Sequence, residues 1–189
     1  MLPALLPPKE TLPAIAGDGI TLRLLTADDL SLTLSWRNRD EVRPWFKHND
    51  VLTMHEHQKW FDKHRLDNKA YLFIVERREA SVPVGQVSIY NIDCEASEAE
   101  VGRFIAAPGE SGKGIIRNAI LKLVDFGFRE LELKRVFLEV YRDNLRAIRL
   151  YESVGFNEID PDRTTTCGNV RPVMFMERLA SASWKVTTP

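Results

Sequence analysis

The sequence has little of what marks secreted, membrane-spanning or nucleic-acid-binding proteins. It contains two cysteines in 189 residues, and neither Cys94 nor Cys167 belongs to a Cys-x-x-Cys pair, so we expect neither a disulfide framework nor a zinc site. Lysine and arginine total 26 against 27 acidic residues, which is not the basic excess that a phosphate backbone requires. No run of about 18 apolar residues occurs. We therefore expect no membrane span and no nucleic-acid partner.

The first residues also lack the features of a secretory leader. No basic residue precedes the apolar letters of residues 1–6, and prolines interrupt that stretch. Four prolines within residues 1–18 predict a non-helical, flexible N-terminal arm. Together with the scarcity of cysteine, these features favour a cytoplasmic protein.

The remaining composition is that of an ordinary globular chain. Hydrophobic residues make up 44% and charged residues 28% of the sequence, which is enough apolar material for a sizeable core. A chain of this length usually forms one domain. We predict a single domain over residues 19–189.

Hydrophobic periodicity predicts an α/β (α+β) fold in the order β-α-α-β-β-β-α-β-α-β-β. The arrangement implies a mixed central sheet of about seven strands with helices on both faces, and a parallel crossover around the longest helix. The predicted strands are residues 20–25, 71–75, 84–90, 99–105, 135–140, 156–159 and 173–179, and the predicted helices are residues 26–37, 53–65, 112–131 and 144–154.

A glycine-rich turn opens the longest predicted helix. Gly112-Lys113-Gly114-Ile115 follows the strand-like residues 100–105, and small residues at a helix start leave backbone N–H groups open to an anion such as a pyrophosphate. The turn is not a Walker A loop, because Lys113 is followed by Gly114 instead of serine or threonine. Taken alone, it also fits an ordinary helix entry.

A second motif follows one strand later. The pattern Asn-x-x-Ala-x-x-Leu-Tyr-x-x-x-Gly-Phe is complete at Asn144, Ala147, Leu150, Tyr151, Gly155 and Phe156. Placed behind the glycine turn, it resembles the signature of the GCN5-related N-acetyltransferases, and the resemblance covers about residues 19–179. It implies the GNAT fold, acetyl-CoA as cosubstrate and direct transfer of the acetyl group to a primary amine. The family writes the glycine turn as Gln/Arg-x-x-Gly-x-Gly/Ala, and here Ser111 and Ile116 stand at its two ends.

The resemblance also implies roles for particular residues. Tyr151 corresponds to the tyrosine that protonates the departing CoA thiolate, and Asn144 to the asparagine that contacts the pantetheine side of the cofactor. A bulge in strand 99–105 is expected to direct backbone N–H groups at the pantetheine arm and the thioester carbonyl. The residues assigned to the cofactor are Phe104, Ile105, Ala106, Ser111, Gly112, Lys113, Gly114, Ile115, Ile116 and Asn144.

The proton acceptor is assigned to Glu100, where many relatives carry a glutamate that takes the proton of the amine directly or through water. The alternative is a surface glutamate within the acidic run 95–100. His57 and His64 share a helix face, but their spacing does not predict a metal site.

The acceptor is suggested by the N-terminal third. Trp36-Arg37-Asn38 at the end of the first helix, His48 in the next loop and Tyr90-Asn91 resemble acetyltransferases of nucleotide-linked amino sugars, such as those of pseudaminic-acid biosynthesis. We assign these six residues to acceptor binding, although packing also explains the tryptophan. The alternatives are an N-terminal α-amino acetyltransferase of ribosomal proteins, an aminoglycoside acetyltransferase and a non-catalytic acetyl-CoA sensor. We expect a monomer or a homodimer acting on a small-molecule amine.

Overall fold

The computed structural model describes residues 6–159, 165–167 and 171–181. The strands in this part of the chain are β1 Ile15–Ala16, β2 Ile20–Leu24, β3 Tyr71–Arg77, β4 Val82–Asp93, β5 Glu98–Ala106, β6 Arg135–Tyr141, β7 Asn157–Glu158, β8 Thr165–Cys167 and β9 Arg171–Leu179. The helices are α1 Leu30–Arg37, α2 Met54–Leu66, α3 Ile115–Arg129 and α4 Leu145–Ser153, with short 3-10 turns at Lys9–Thr11, Ala27–Asp29 and Arg43–Trp45.

The described strands form one mixed sheet in the order β1-β2-β3-β4-β5-β6-β9-β7, and β8 also pairs with β9. Of the described strand pairs, only β5 and β6 are parallel, and α3 connects them, as a parallel crossover requires. The predicted mixed α/β sheet is confirmed. Within the described ranges the sheet has nine strands instead of about seven, since β1 and β8 span only two and three residues and are too short to give a periodic signal.

The two faces of the sheet can be followed along β3. Tyr71, Phe73 and Val75 face the main core. Most of the buried residues of α3 belong to the same core. The alternate residues Leu72 and Ile74 face a second cluster with residues of α1 and α2. The two-residue period of a strand thus places α3 on one face and α1 with α2 on the other.

Local sequence signals account for the helix starts. Thr53 and Glu56 form a capping box at the start of α2. Helix α3 starts at Ile115 instead of residue 112, because Gly112 and Gly114 have φ angles of +83° and +78°, which a right-handed helix does not allow.

The N-terminal segment lies against the sheet from residue 6 onward. The Tyr71 hydroxyl donates a 2.7 Å hydrogen bond to the carbonyl oxygen of Pro7, and the Lys9 ammonium donates to the carbonyl oxygen of His64. Leu12 and Ile15 pack against the main core. The predicted arm is therefore corrected for residues 6–16, which join the domain, while residues 1–5 lie outside the described residues.

No helix among the residues that the structure describes has the length and apolar character needed to cross a membrane. In the same part of the chain, no three His, Cys, Asp or Glu side chains converge as metal ligands. His57 and His64 are instead buried on α2, where their rings stack on Trp60 at centroid distances of 5.2 and 5.3 Å.

Candidate active site

A cleft with a volume of about 1260 Å³ opens where β5 and β6 separate. The two strands pair only from Glu98 to Glu100 on β5. Beyond that point β5 continues along β4 and β6 along β9, so one edge of residues 101–106 faces the gap. The cleft extends from the glycine turn before α3 to the loop between α1 and α2. Ligands of α/β sheets commonly bind beyond the carboxyl ends of such parallel strands.

The bulge expected in β5 lies at Arg103 and Phe104, which together oppose the single residue Val87 of β4. Arg103 has a φ angle of +55°, and Gln86 Nε2 donates a 3.2 Å hydrogen bond to its carbonyl oxygen. The bulge redirects the strand along the cleft wall. Phe104, Ile105 and Ala106 line that wall.

The turn before α3 has the geometry of a backbone anion site. Gly109, Gly112 and Gly114 have φ angles of +76°, +83° and +78°, and a Cβ at any of them would meet no atom within 4 Å. The N–H groups of the first turn of α3 have no acceptor within the helix, so the turn and the helix start together fit a pyrophosphate. Of the predicted residues, Ser111, Gly112, Gly114, Ile115 and Ile116 line the cleft, whereas the side chain of Lys113 lies 3.5 Å from Glu110.

Ile116, which occupies the family's small-residue position, packs over Gly85 of β4. A Cβ at Gly85 would lie 2.8 Å from Cδ1 of Ile116 and 2.6 Å from the carbonyl oxygen of Ile105. The absence of a side chain at Gly85 therefore provides the room that the larger residue on α3 requires.

Tyr151 lies in α4 and lines the cleft. Its ring meets that of Phe104 edge-on at a centroid distance of 5.8 Å and lies 6.3 Å from that of Phe156. Burial raises the pKa of the Tyr151 phenol, and no hydrogen bond holds its hydroxyl among the described residues. The phenol keeps its proton at neutral pH, as the predicted acid must. Asn144 begins the same helix, where its Oδ1 accepts a 3.2 Å hydrogen bond from the backbone of Ala147.

Glu100 is held by two side chains of β4. The Tyr90 hydroxyl donates to Oε1 of Glu100 at 2.7 Å, and Asn91 Nδ2 donates to Oε2 at 2.9 Å. Asn91 has a φ angle of +51°, and the register of β4 and β5 shifts between Tyr90 and Asp93. Burial first, and then the charge of Glu100, raise the pKa of the Tyr90 phenol. Tyr90, Asn91 and Glu100 all line the cleft, so the structure brings the predicted base and two predicted acceptor residues together.

Two residues predicted to bind the acceptor lie elsewhere. Trp36 is only 2% exposed and packs with Ile105 and Ala107 behind the cleft wall. Asn38 forms two hydrogen bonds to the backbone of Leu52, at 2.8 and 2.9 Å. Neither side chain lines the cleft as the structure describes it. Both support the loop between α1 and α2 instead of facing a substrate.

Arg37 and His48 do line the cleft. The Arg37 guanidinium lies 3.9 Å above the Phe46 ring and donates through Nη2 to the carbonyl oxygen of His48. Its Nη1 is buried without a hydrogen-bond partner among the described residues. Burial, and then the charge of Arg43, lower the pKa of Arg37. The buried cation is therefore left with an unused donor.

The loop between α1 and α2 is fastened to the opposite wall of the cleft. Lys47 forms a 2.6 Å ion pair with Glu139 of β6. Arg171 of β9 donates a 2.7 Å hydrogen bond to the carbonyl oxygen of Pro44 and pairs with Asp143 at 2.7 Å. These contacts close the acceptor end of the cleft over the diverging strands.

The sequence did not predict several residues of this site. One of them is Arg103 at the bulge of β5. Gly102, directly before it, was a signal in the sequence, because glycine within a strand often marks a bulge. The other residues come from distant parts of the chain and gave no local signal. They are Gln86, Lys47, Glu139 and Arg171.

Comparison with known families matches residues 20–157 to the model described as "Acetyltransferase (GNAT) domain". Among curated proteins, the chain is 30% identical over 139 residues to spermidine N(1)-acetyltransferase of Vibrio cholerae, covering 74% of this chain and 79% of that protein. It is 26% identical over 140 residues to acetyltransferase PseH of Campylobacter jejuni, covering 74% and 83% of the two chains.

Comparison with solved structures also finds acetyltransferases. The spermidine N-acetyltransferase from Vibrio cholerae in complex with CoA and spermine superposes with a TM-score of 0.76 at 28% identity, over 85% of this chain and 95% of that one. A structure of that enzyme described as dodecameric gives a TM-score of 0.68 at 28% identity, over 85% and 94% of the two chains.

Proposed function

The chain belongs to the acetyltransferase (GNAT) domain family and is an acetyl-CoA-dependent N-acetyltransferase, and we propose that its acceptor is the primary amine of a nucleotide-linked amino sugar. The observation that carries this proposal is the balance of unpaired charges at the acceptor end of the cleft. Among the described residues at that end, Glu100 is the glutamate that neither pairs with a cation nor caps a helix, and Arg37 and Arg103 are guanidiniums that pair with no carboxylate.

The free carboxylate is Glu100, which accepts hydrogen bonds only from the neutral side chains of Tyr90 and Asn91. No cation among the described residues pairs with it, so its oxygens are available to an incoming amine. The other glutamates at this end are engaged: Glu41 by Arg39 at 3.4 Å, Glu139 by Lys47 at 2.6 Å, and Glu56 by the Thr53 cap of α2.

The two free cations are Arg37 and Arg103. Neither pairs with a carboxylate within the described residues; Arg37 stacks on Phe46, and the guanidinium carbon of Arg103 lies 4.2 Å from the centroid of the Tyr90 ring. A guanidinium binds phosphate oxygens through two parallel hydrogen bonds. An acceptor with one amine and a pyrophosphate matches this set of charges.

A polyamine is the second candidate, because a spermidine N(1)-acetyltransferase is among the similar proteins. A polyamine carries positive charge along its length. It would be attracted by Glu100 but repelled by Arg37 and Arg103, and burial strengthens such repulsion. The charge balance therefore favours the acceptor with an anionic portion.

We assign the chemical roles as follows. Acetyl-CoA supplies the activated acetyl group. The glycine turn and the start of α3 hold the pyrophosphate, and the backbone at the β5 bulge polarises the thioester carbonyl. Glu100 takes the proton of the amine as its nitrogen bonds to the carbonyl carbon. Tyr151 gives its proton to the sulfur as the C–S bond breaks.

The test is thiol release from acetyl-CoA with a panel of acceptors: a UDP-linked amino sugar, the same amino sugar without the nucleotide, spermidine, an aminoglycoside and a peptide with a free N-terminus. We expect the highest kcat/KM for the UDP-linked amino sugar. Arg103→Gln should raise KM for that acceptor and leave KM for the free amino sugar unchanged. Arg129→Gln, on the exposed surface of α3, is the matched control. A higher kcat/KM for spermidine would replace the proposal with the polyamine assignment.

A monomer or homodimer remains our proposal for the assembly, although a structure of the Vibrio cholerae enzyme is described as dodecameric. Light scattering coupled to size-exclusion chromatography distinguishes these states.

A further inference from the structure

The glycine turn lacks a side chain that the family pattern supplies. Where related proteins carry glutamine or arginine at the first position of the turn, this chain has Ser111, whose hydroxyl is a short and uncharged group. Ser111 lines the cleft and is exposed. The turn therefore provides backbone N–H groups for a pyrophosphate but no cation at this position.

A cation reaches the same place from another element. Arg146 lies in the first turn of α4, and its Nη2 donates a 2.6 Å hydrogen bond to Oγ of Ser111. Arg146 also lines the cleft. Its guanidinium has five N–H donors, so the bond to Ser111 leaves donors available for a ligand on the turn.

The other cations near the turn bond to groups other than Ser111. Lys113 lies 3.5 Å from Glu110, and the same carboxylate accepts a 2.6 Å ion pair from Arg77. Arg117 donates to the carbonyl oxygen of Ser153 at 3.3 Å. Arg146 pairs with no carboxylate within the described ranges, so its full charge is available at the glycine turn.

We propose that Arg146 is a cofactor-binding residue that supplies, from α4, a cationic contact to the CoA pyrophosphate beside the glycine turn. This inference rests on the cofactor part of the proposed function and not on the identity of the acceptor. Arg146 and Tyr151 share α4, so the contact also fixes the helix that carries the acid relative to the bound cofactor.

Calorimetric titration with CoA, 3′-dephospho-CoA and pantetheine tests the assignment. Arg146→Ala should raise the Kd of CoA and of 3′-dephospho-CoA by about tenfold or more, as expected for the loss of a charge-assisted contact to phosphate. The Kd of pantetheine, which has no phosphate, should not change. Arg149→Ala is the matched control, because Arg149 is exposed on the same helix.

The decisive variant moves the cation back into the turn. Ser111→Arg combined with Arg146→Ala should recover most of the lost CoA affinity, which a merely structural role of Arg146 would not predict. Equal Kd values for Arg146→Ala and Arg149→Ala would overturn the proposal. An effect on CoA that vanishes with 3′-dephospho-CoA would also overturn it, since Arg146 would then recognise the 3′-phosphate. Normal CoA binding without turnover of any amino sugar would refute the proposed acceptor alone.

Discussion

A Cβ on Gly102 would lie 2.9 Å from the hydroxyl oxygen of Tyr90. Two side chains cannot share that space, so the glycine is what lets the Tyr90 ring lie over β5 and reach Glu100 at 2.7 Å. The φ angle of Gly102 is not in the left-handed region, and alanine is therefore compatible with its backbone. The constraint at this position is the neighbouring phenol.

Gly102→Ala should displace Tyr90 and release one oxygen of Glu100. We expect kcat to fall by about tenfold, since misplacement of a catalytic group weakens general-base catalysis. The control is Tyr90→Phe, which removes the hydroxyl that the new methyl group would meet. Adding Gly102→Ala to the Tyr90→Phe variant should lower kcat little further. If Gly102→Ala lowers kcat equally in the wild type and in Tyr90→Phe, a clash with the Tyr90 hydroxyl is not the cause.

Glu100→Gln removes the proposed base and keeps the size of the side chain. We expect kcat to fall by about a hundredfold near neutral pH. The loss should narrow as the pH approaches the pKa of the acceptor amine, because more of the amine is then already neutral. A pH–rate profile of both proteins checks this, with Glu41→Gln as a control that removes a carboxylate from the same cleft. If the pH–rate profiles of the wild type and Glu100→Gln are parallel, Glu100 is not the base.

Tyr151→Phe should reduce kcat by about a hundredfold and leave the Kd of CoA unchanged, because the hydroxyl acts on the departing sulfur. Burial raises the pKa of this phenol above its usual value near 10. A raised pKa keeps the acid protonated to higher pH, so the wild-type rate should not decline between pH 8 and about 10 through loss of this proton. Pre-steady-state measurement of thiol release separates this step from product release. Wild-type turnover by the variant would remove Tyr151 from the mechanism.

Features carried by contiguous residues could be predicted from the sequence. The capping box of Thr53 and Glu56 is complete within four positions, and the motif from Asn144 to Phe156 identified the family. Asn38 was assigned to the acceptor because it follows Arg37, which lines the cleft. Successive residues of a helix point in different directions, and the hydrogen-bond partner of Asn38, Leu52, lies 14 positions away in the sequence. The contact between Arg146 and Ser111 spans 35 positions, so no local pattern reveals it.

His64 should make the stability of the protein depend on pH between about 6.5 and 4. Burial, and then the charges of Lys9 and Arg103, lower the pKa of His64 to about 4, against the partial opposing effect of Asp67. Well above pH 6.5, the ordinary pKa of histidine, the His64 ring is neutral in both the folded and the unfolded protein. Its protonation then takes nothing from the free energy of unfolding. As the pH falls toward 4, the unfolded chain binds a proton that the folded protein resists, and up to about 3 kcal/mol of stability is lost. Urea unfolding at pH 7.5, 6.0 and 4.5 measures this loss.

His64→Phe should flatten that pH dependence, because phenylalanine keeps a ring against Trp60 and binds no proton. Some slope should remain, since burial and the charge of Arg37 also lower the pKa of His57. His55→Gln is the control, as His55 is exposed on the same helix and meets solvent in both states. If His64→Phe loses stability between pH 7.5 and 4.5 as steeply as the wild type, the pH dependence in that range arises from groups other than His64. Burial raises the pKa of Asp29, but hydrogen bonds from Arg23 and Thr26 outweigh burial and lower it. Stability that depends on this carboxylate is therefore lost only as the pH falls below about 4, the ordinary value for aspartate, in a separate and more acidic transition.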